Sequence, residues 1–257
     1  QSYVAYQRAG RVLQAFETGI PREDGATKQD VRVALLGSSN IDPFAAYVRV
    51  ETYRHGLIAT CFVASYERYH RELLDPKGEL NAFQPEIVFL DLEVASLVPR
   101  ATRYGLRNDD VVAILAKLDD LATAFRAHGT ALIVVSNFVN TNARPYAIVK
   151  SPEDAAYVEL NRRLATHFKR GSNVIVLDVD GLAGYHGKGR SCDGKLRYLA
   201  GMKWSESFLP VLARSYAAVI MAARRPTYKC LVVDLDNTLW GGVVGEVGGE
   251  GIVLGPD

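Results

Sequence analysis

Asp234 and Asp236 stand one residue apart, with Thr238 two further on, directly after the apolar run Cys230-Leu-Val-Val233. Two carboxylates so spaced, delivered by a strand to a loop, can share a divalent cation and a phosphate. The first is placed as a nucleophile and the second as a general acid/base. As plain structure the pair is hard to explain, because neighbouring carboxylates repel unless a cation or donors compensate. Strand parity puts Cys230 on the face of Asp234, roughly 13 Å away by strand rise. That separation reads as core packing for the thiol.

The longer string Lys229-Cys-Leu-Val-Val-Asp234-Leu-Asp236-Asn-Thr238-Leu-Trp240-Gly-Gly242, with Gly251-Ile-Val-Leu-Gly255 after it, resembles the first motif of the haloacid dehalogenase (HAD) superfamily. The Leu-Trp-Gly-Gly extension is similar to the FkbH-like branch, the glyceryl-loading proteins of polyketide pathways. The resemblance implies an aspartyl-phosphate on Asp234 and proton transfer by Asp236. It implies Mg2+ held by the Asp234 side chain and the Asp236 main-chain carbonyl, with Thr238 on the substrate. It further implies 1,3-bisphosphoglycerate as glyceryl donor and the phosphopantetheine thiol of an acyl carrier protein as acceptor. Cys230 and Asp234 both stand as candidate acyl carriers. The Ser/Thr, Lys and acidic motifs that follow in the superfamily have no counterpart before Asp257. The stretch is therefore expected to be incomplete for that reaction.

A second set of candidates lies nearer the start. Gly37-Ser38-Ser39-Asn40 follows the first predicted strand. A serine at a strand-to-helix turn has amides beside it that can steady an anion. The placement resembles the first block of SGNH (GDSL-type) hydrolases, with Ser39 at the nucleophile position. The resemblance implies a His before the last helix, and Trp204 of Gly201-Met-Lys-Trp204-Ser stands there instead. An indole cannot accept the proton. Asp91-Leu-Glu93 replaces the expected oxyanion block. His186, in Tyr185-His-Gly-Lys188-Gly-Arg190, is a substitute base with Asp178 or Asp180 as orienter, or simply an exposed loop histidine. Lys188 and Arg190 are candidate phosphate contacts. Asn137, Asn140, Asn142 and Arg144 crowd the loop after the fourth strand, where Asn137 is a candidate substrate contact or a turn residue. Two alternatives to glyceryl transfer follow: a serine esterase or acyltransferase using Ser39, and a carrier-protein docking domain without catalysis.

These residues need a scaffold that brings strand ends together. Apolar runs at 31–36, 57–63, 86–91, 131–136 and 174–177 alternate with segments of helical period, opened by Asp42-Pro43, Asn108 and the capping box Ser151-Pro-Glu-Asp154. The pattern predicts an α/β fold, a three-layer flavodoxin-like or SGNH-like parallel sheet covered on both faces. An irregular, glycine-rich stretch is expected over 178–197 and a closing helix over 206–223. Arg224-Arg-Pro226 reads as a linker, which divides the chain into 1–224 and a HAD-like piece, 225–257.

Thirty basic residues balance 29 acidic ones, so no electrostatic footprint for nucleic acid or an anionic membrane exists. Three cysteines without a framework spacing point to a reducing compartment. With no signal-peptide pattern and no run near the ~20 apolar residues of a membrane helix, cytoplasm is the expected location. The first residue is Gln rather than Met, so an earlier start is expected. His55, His70, His128 and His167 lack metal-ligand spacing and read as structural.

Overall fold

The structure, a computed structural model, describes residues 2–17, 29–101, 105–141, 151–169, 171–224, 230 and 232–255. The chain divides into two compact units, 1–222 and 223–257.

The first unit is built on five strands: β1 (Gln29–Gly37), β2 (Leu57–Val63), β3 (Ile87–Asp91), β4 (Leu132–Ser136) and β5 (Val174–Leu177). All pairings are parallel and the order is β2-β1-β3-β4-β5. Side chains alternate between faces along a strand, and here each face has its own core. Val33, Leu35, Phe89 and Val134 face a cluster closed by Tyr47, Phe208 and Tyr216. Ala34, Leu36, Val88, Leu90 and Val135 face another, closed by Leu73, Ile114, Phe125 and Leu160. The helices Phe44–Tyr53, Val179–His186 and Leu209–Arg224 thus cover one face, and Tyr69–Leu74, Asn108–Arg126 and Pro152–His167 the other. This is the three-layer α/β fold expected from the alternation.

The helix Tyr3–Glu17 joins the first layer. Tyr6 stacks on Tyr47 at 4.3 Å and donates its hydroxyl hydrogen to the buried Glu51 carboxylate. Gly10 lets the two backbones meet: a Cβ there would lie 2.5 Å from the Ala46 Cβ and 2.7 Å from its Cα.

Several elements differ from expectation. Short helices at Tyr69–Leu74, Glu79–Phe83 and Val94–Leu97 add to the longer ones read from the sequence. The stretch 178–197 is not irregular. It forms Val179–His186, Lys188–Ser191 and Gly194–Ala200. Its glycines suggested a loop, but two aspartates cap helices within it. Asp178 accepts from the Gly181 amide, and Asp193 from the amides of Lys195 and Leu196.

The second unit is sparse. The run entering Asp234 forms no strand ladder among the described residues; the bridges there join Asp236 to Trp240 and Gly241 to Val253. No described residue of 230–255 is buried, and Val232 is 89% exposed. A strand needs a neighbour for its amides and a face to cover, and the described residues of this unit supply neither. Cys230 is correspondingly exposed rather than packed in a core. The linker 225–229 lies outside the described residues. No helix among the described residues is long and apolar enough to cross a membrane.

Candidate functional site

Parallel strands bring their carboxyl ends to one edge, and ligands of such sheets bind there. Ser39 follows β1, Asp91 ends β3, Asn137 follows β4 and Asp178 follows β5, so all four stand on that edge. The register fixes the first two, since Gly37 pairs with Asp91 and the Ser38 amide donates to the Asp91 carbonyl at 3.2 Å.

Asp91 is the centre of this edge and is buried. Its Oδ1 receives the Lys203 ammonium at 3.0 Å, and its Oδ2 receives the Trp204 indole N–H. Both ends of the ion pair are almost fully enclosed, at 3% and 5% side-chain exposure. The Lys203 Nζ also lies 4.0 Å from the Trp204 ring centroid, a favourable cation–π placement. Burial, and then the Asp91 charge, drive the Tyr216 hydroxyl far above the usual phenol range. A second tie runs alongside, where Arg197 pairs with Glu93 and the Glu93 amide donates to Ser38 Oγ at 2.8 Å. Asn40 completes the clasp through Gly201 and Ala200. Gly201 adopts φ +65°, which ends its helix and turns the chain toward Met202 and Lys203. The segment 193–205 is therefore strapped over the ends of β1 and β3.

The Asp91–Lys203–Trp204 knot was missed as a unit in the sequence, although Trp204 and Asp91 were each noted as replacements. The legible signal was weak: an aspartate ending a wholly apolar strand, and a lysine between Met202 and Trp204.

Ser39 is 4% exposed, and its hydroxyl finds no hydrogen-bond partner among the described residues. His186 does not serve it. That residue ends a helix rather than sitting in a loop, and its Nε2 lies 3.2 Å from Ser207 Oγ. The proposed orienters are occupied elsewhere. Asp178 accepts from Asn137 and Gly181, and Asp180 pairs with Lys188. Asn137 has partners within the fold. It is 7% exposed, donates to Asp178 Oδ1 at 2.7 Å and accepts from the Asp180 amide at 2.7 Å. It ties β4 to the turn after β5. Asn140 donates to Asp154 at 2.7 Å, while Asn142 and Arg144 lie outside the described residues.

Beside the knot opens a cavity of ≈ 330 Å3, lined by Glu93, Thr141, Glu153, Tyr157, Arg197 and Lys203 among others. Burial, reinforced by the Glu153 and Glu93 charges and opposed by Arg197, pushes the Tyr157 hydroxyl up to about 12. The rest of the wall is apolar, with Leu92, Leu106, Phe138 and Val139 among it, and the cations Arg197 and Lys203 are already paired with Glu93 and Asp91. Cys192, beside the same strap, has its thiol pushed up to about 11 by burial, against the pull of Lys203 and Arg197. It is no thiolate near neutrality.

In the second unit Asp234 is exposed and Asp236 half-buried. Asp236 Oδ1 accepts from Trp240 Nε1 at 3.1 Å and from the Val244 amide at 3.2 Å, which orients the carboxylate. Among the described residues, Asp234 Oδ1 accepts from the next amide alone, at 2.9 Å. Asn237 adopts φ +58° and its carboxamide oxygen takes the Gly242 amide at 2.9 Å, curling the loop. Thr238 is exposed, and its amide donates to the Leu235 carbonyl at 3.3 Å. No group of three His, Cys, Asp or Glu converges among the described residues. The donors present are nonetheless hard oxygens with open valence at Asp234. They fit Mg2+, which keeps several waters and takes one or two carboxylates plus phosphate.

Residues 32–221 match the family described as FkbH, N-terminal domain. The chain belongs to the FkbH family. Its fold matches the crystal structure of the N-terminal part of the protein BF1531 from Bacteroides fragilis, containing a phosphatase domain complexed with Mg. The TM-score is 0.69 at 21% identity, over 100% of this chain and 66% of that one. The FkbH chain thus spans just under two thirds of that structure. A GDSL-like lipase from Parabacteroides merdae matches with TM-score 0.41 at 14% identity, over 79% of this chain and 98% of that one. No curated protein matches the chain.

Proposed function

We propose that this chain is part of a glyceryl transferase/phosphatase. It would pass the acyl unit of 1,3-bisphosphoglycerate to the thiol of an acyl carrier protein, the C1 phosphate leaving as inorganic phosphate, and hydrolyse the C3 phosphate ester with water so that glyceryl remains on the thioester. One observation carries the reading: an FkbH N-terminal match over 32–221 runs directly into Asp234-x-Asp236-x-Thr238. The likeness to a chain whose phosphatase domain was crystallised with Mg supports it. Mg2+, held by the Asp234 carboxylate and the Asp236 main-chain carbonyl, would supply Lewis-acid stabilisation of phosphate charge. Asp234 then acts as nucleophile and Asp236 as proton carrier, already oriented by Trp240. The first unit serves as a docking and shaping domain in a cytoplasmic protein.

The hydrolase alternative has little to support it. The base position is filled by Trp204, whose N–H is spent on Asp91, and His186 is held at Ser207.

The test is mass spectrometry of a holo carrier protein incubated with 1,3-bisphosphoglycerate, Mg2+ and the protein carrying its complete phosphatase domain. Asp234→Asn keeps shape but removes the anionic nucleophile, so glyceryl loading is expected to vanish. Loading at the unmodified rate means the site is misassigned. Asp236→Asn is expected to cost about 100- to 10,000-fold, the usual worth of general acid/base help.

A further inference from the structure

The segment Tyr185–Leu199 runs as short helices and carries the three most exposed large apolar side chains described in the first unit. Tyr185 is 98% exposed, Tyr198 89% and Leu199 67%. The helix Gly194–Ala200 has no fully buried residue. Its position is nevertheless fixed, by the Asp193 cap, the Arg197–Glu93 pair and the Asn40 contacts at its end. Large apolar side chains held out on a fixed element mark an interaction surface. Aromatic residues and arginine are also what interface cores favour.

The balance of charge around them is positive. Residues 185–199 include Lys188, Arg190, Lys195 and Arg197 against the single acid Asp193, in a chain whose net charge is +1. Lys188 and Arg197 are neutralised by Asp180 and Glu93. Arg190 and Lys195 have exposed side chains and make no ion pair among the described residues. Asp193 turns its carboxylate onto the amides of Lys195 and Leu196 rather than onto a side-chain cation. Lys195 shares a helix face with Tyr198 and Leu199, three and four residues on, and Arg190 adds a second exposed cation on the same segment.

We infer that this face docks an acidic protein surface, with Arg190 and Lys195 meeting carboxylates and Tyr198 and Leu199 filling an apolar contact. The inference rests on the reading above in naming the partner: the carrier protein that receives the glyceryl unit. It adds where that protein sits. Arg197 belongs to the docking face and also lines the ≈ 330 Å3 cavity, so a partner seated here stands at the mouth of that cavity.

The test measures binding of the 257-residue chain to an acidic holo acyl carrier protein by calorimetry, with phosphatidylserine–phosphatidylcholine vesicles as a second probe. The unmodified chain should bind the carrier protein, and binding should weaken as salt rises. Arg190→Glu with Lys195→Glu should weaken it at least about ten-fold, since like charges then face each other across the interface. Tyr198→Ser with Leu199→Ser should weaken it comparably without changing its salt dependence. All four positions are exposed, and unchanged circular dichroism checks that the variants fold. Equal binding by the charge-reversed variant, or binding to vesicles and not to the carrier protein, overturns the docking face. So does no binding to either probe. The loading assay separates the two claims. Loading that persists with an unchanged KM for the carrier protein in the charge-reversed variant sinks the docking face alone. No loading by the unmodified protein sinks the reading of function.

Discussion

Asp91 is a buried charge whose cost is met by two named donors, Lys203 and Trp204. Removing one partner of such a pair leaves the other charged and unsolvated, which costs about 3–5 kcal/mol. Asp91→Ala should lower stability by that order in urea unfolding. Asp91→Leu combined with Lys203→Met should recover most of the loss, because two apolar groups of similar volume leave no orphan charge. A second expectation concerns the thiols. Burial raises the Cys192 thiol to about 11, so its reactive thiolate appears only as pH climbs toward that value. Cys230 is exposed. With N-ethylmaleimide at pH 8, mass spectrometry should find the adduct on Cys230 well before Cys192, and the gap should close as pH rises. At this scale the sequence told what was missing more readily than what replaced it. Trp204 declared the absent histidine by its type alone. That its indole reaches Asp91, 113 positions earlier in the chain, depends on which strand ends meet, and residue type carries no trace of that. Asn137 is ambiguous for the same reason: a loop asparagine looks the same whether its partners are a ligand or its own fold.

The strands and long helices were legible because each carries its own signal. Val31–Leu36 and Ile87–Leu90 are apolar runs bounded by turns, and Ser151 with Asp154 is a capping box that the structure forms, with the Asp154 amide 3.1 Å from Ser151 Oγ. Ser151→Ala should cost about 1 kcal/mol in thermal or chemical unfolding, the usual worth of such a cap. The short helices of 179–200 were illegible because glycines at 181, 184, 187, 189 and 194 masked two capping aspartates. The run into Asp234 erred the other way. Its residue types favour a strand, but a strand is a property of a pair. Helix pairing gives a prediction that runs against propensity. In an isolated helix Gly10→Ala would stabilise by roughly 1 kcal/mol. Here the added methyl meets Ala46 backbone at 2.7 Å, which cannot yield as a flexible side chain does. The substitution should therefore lower stability and loosen Tyr3–Glu17, read as a lower denaturant midpoint.

The molecule as a whole is uneven. The first unit has two apolar layers closed on a central sheet, and the second has no buried residue among those described. Amide exchange reports such differences directly, since opening costs little where few groups are buried. Amides in β1, β3 and β4 should exchange slowest, and those of 232–255 within the fastest class. Slow exchange there would show a core that the described contacts lack. The division was legible as a change of motif near 225, because a linker and a new apolar run are local features. The strap over the sheet was not, since it joins segments far apart in sequence. That distance has a consequence for birth as well as for shape. Asp91 leaves the ribosome 112 residues before Lys203. At about 5–20 residues per second its carboxylate waits roughly 6 to 20 seconds for its counter-ion. Until Lys203 and Trp204 emerge, Asp91 lacks both of the donors that hold it in the folded chain.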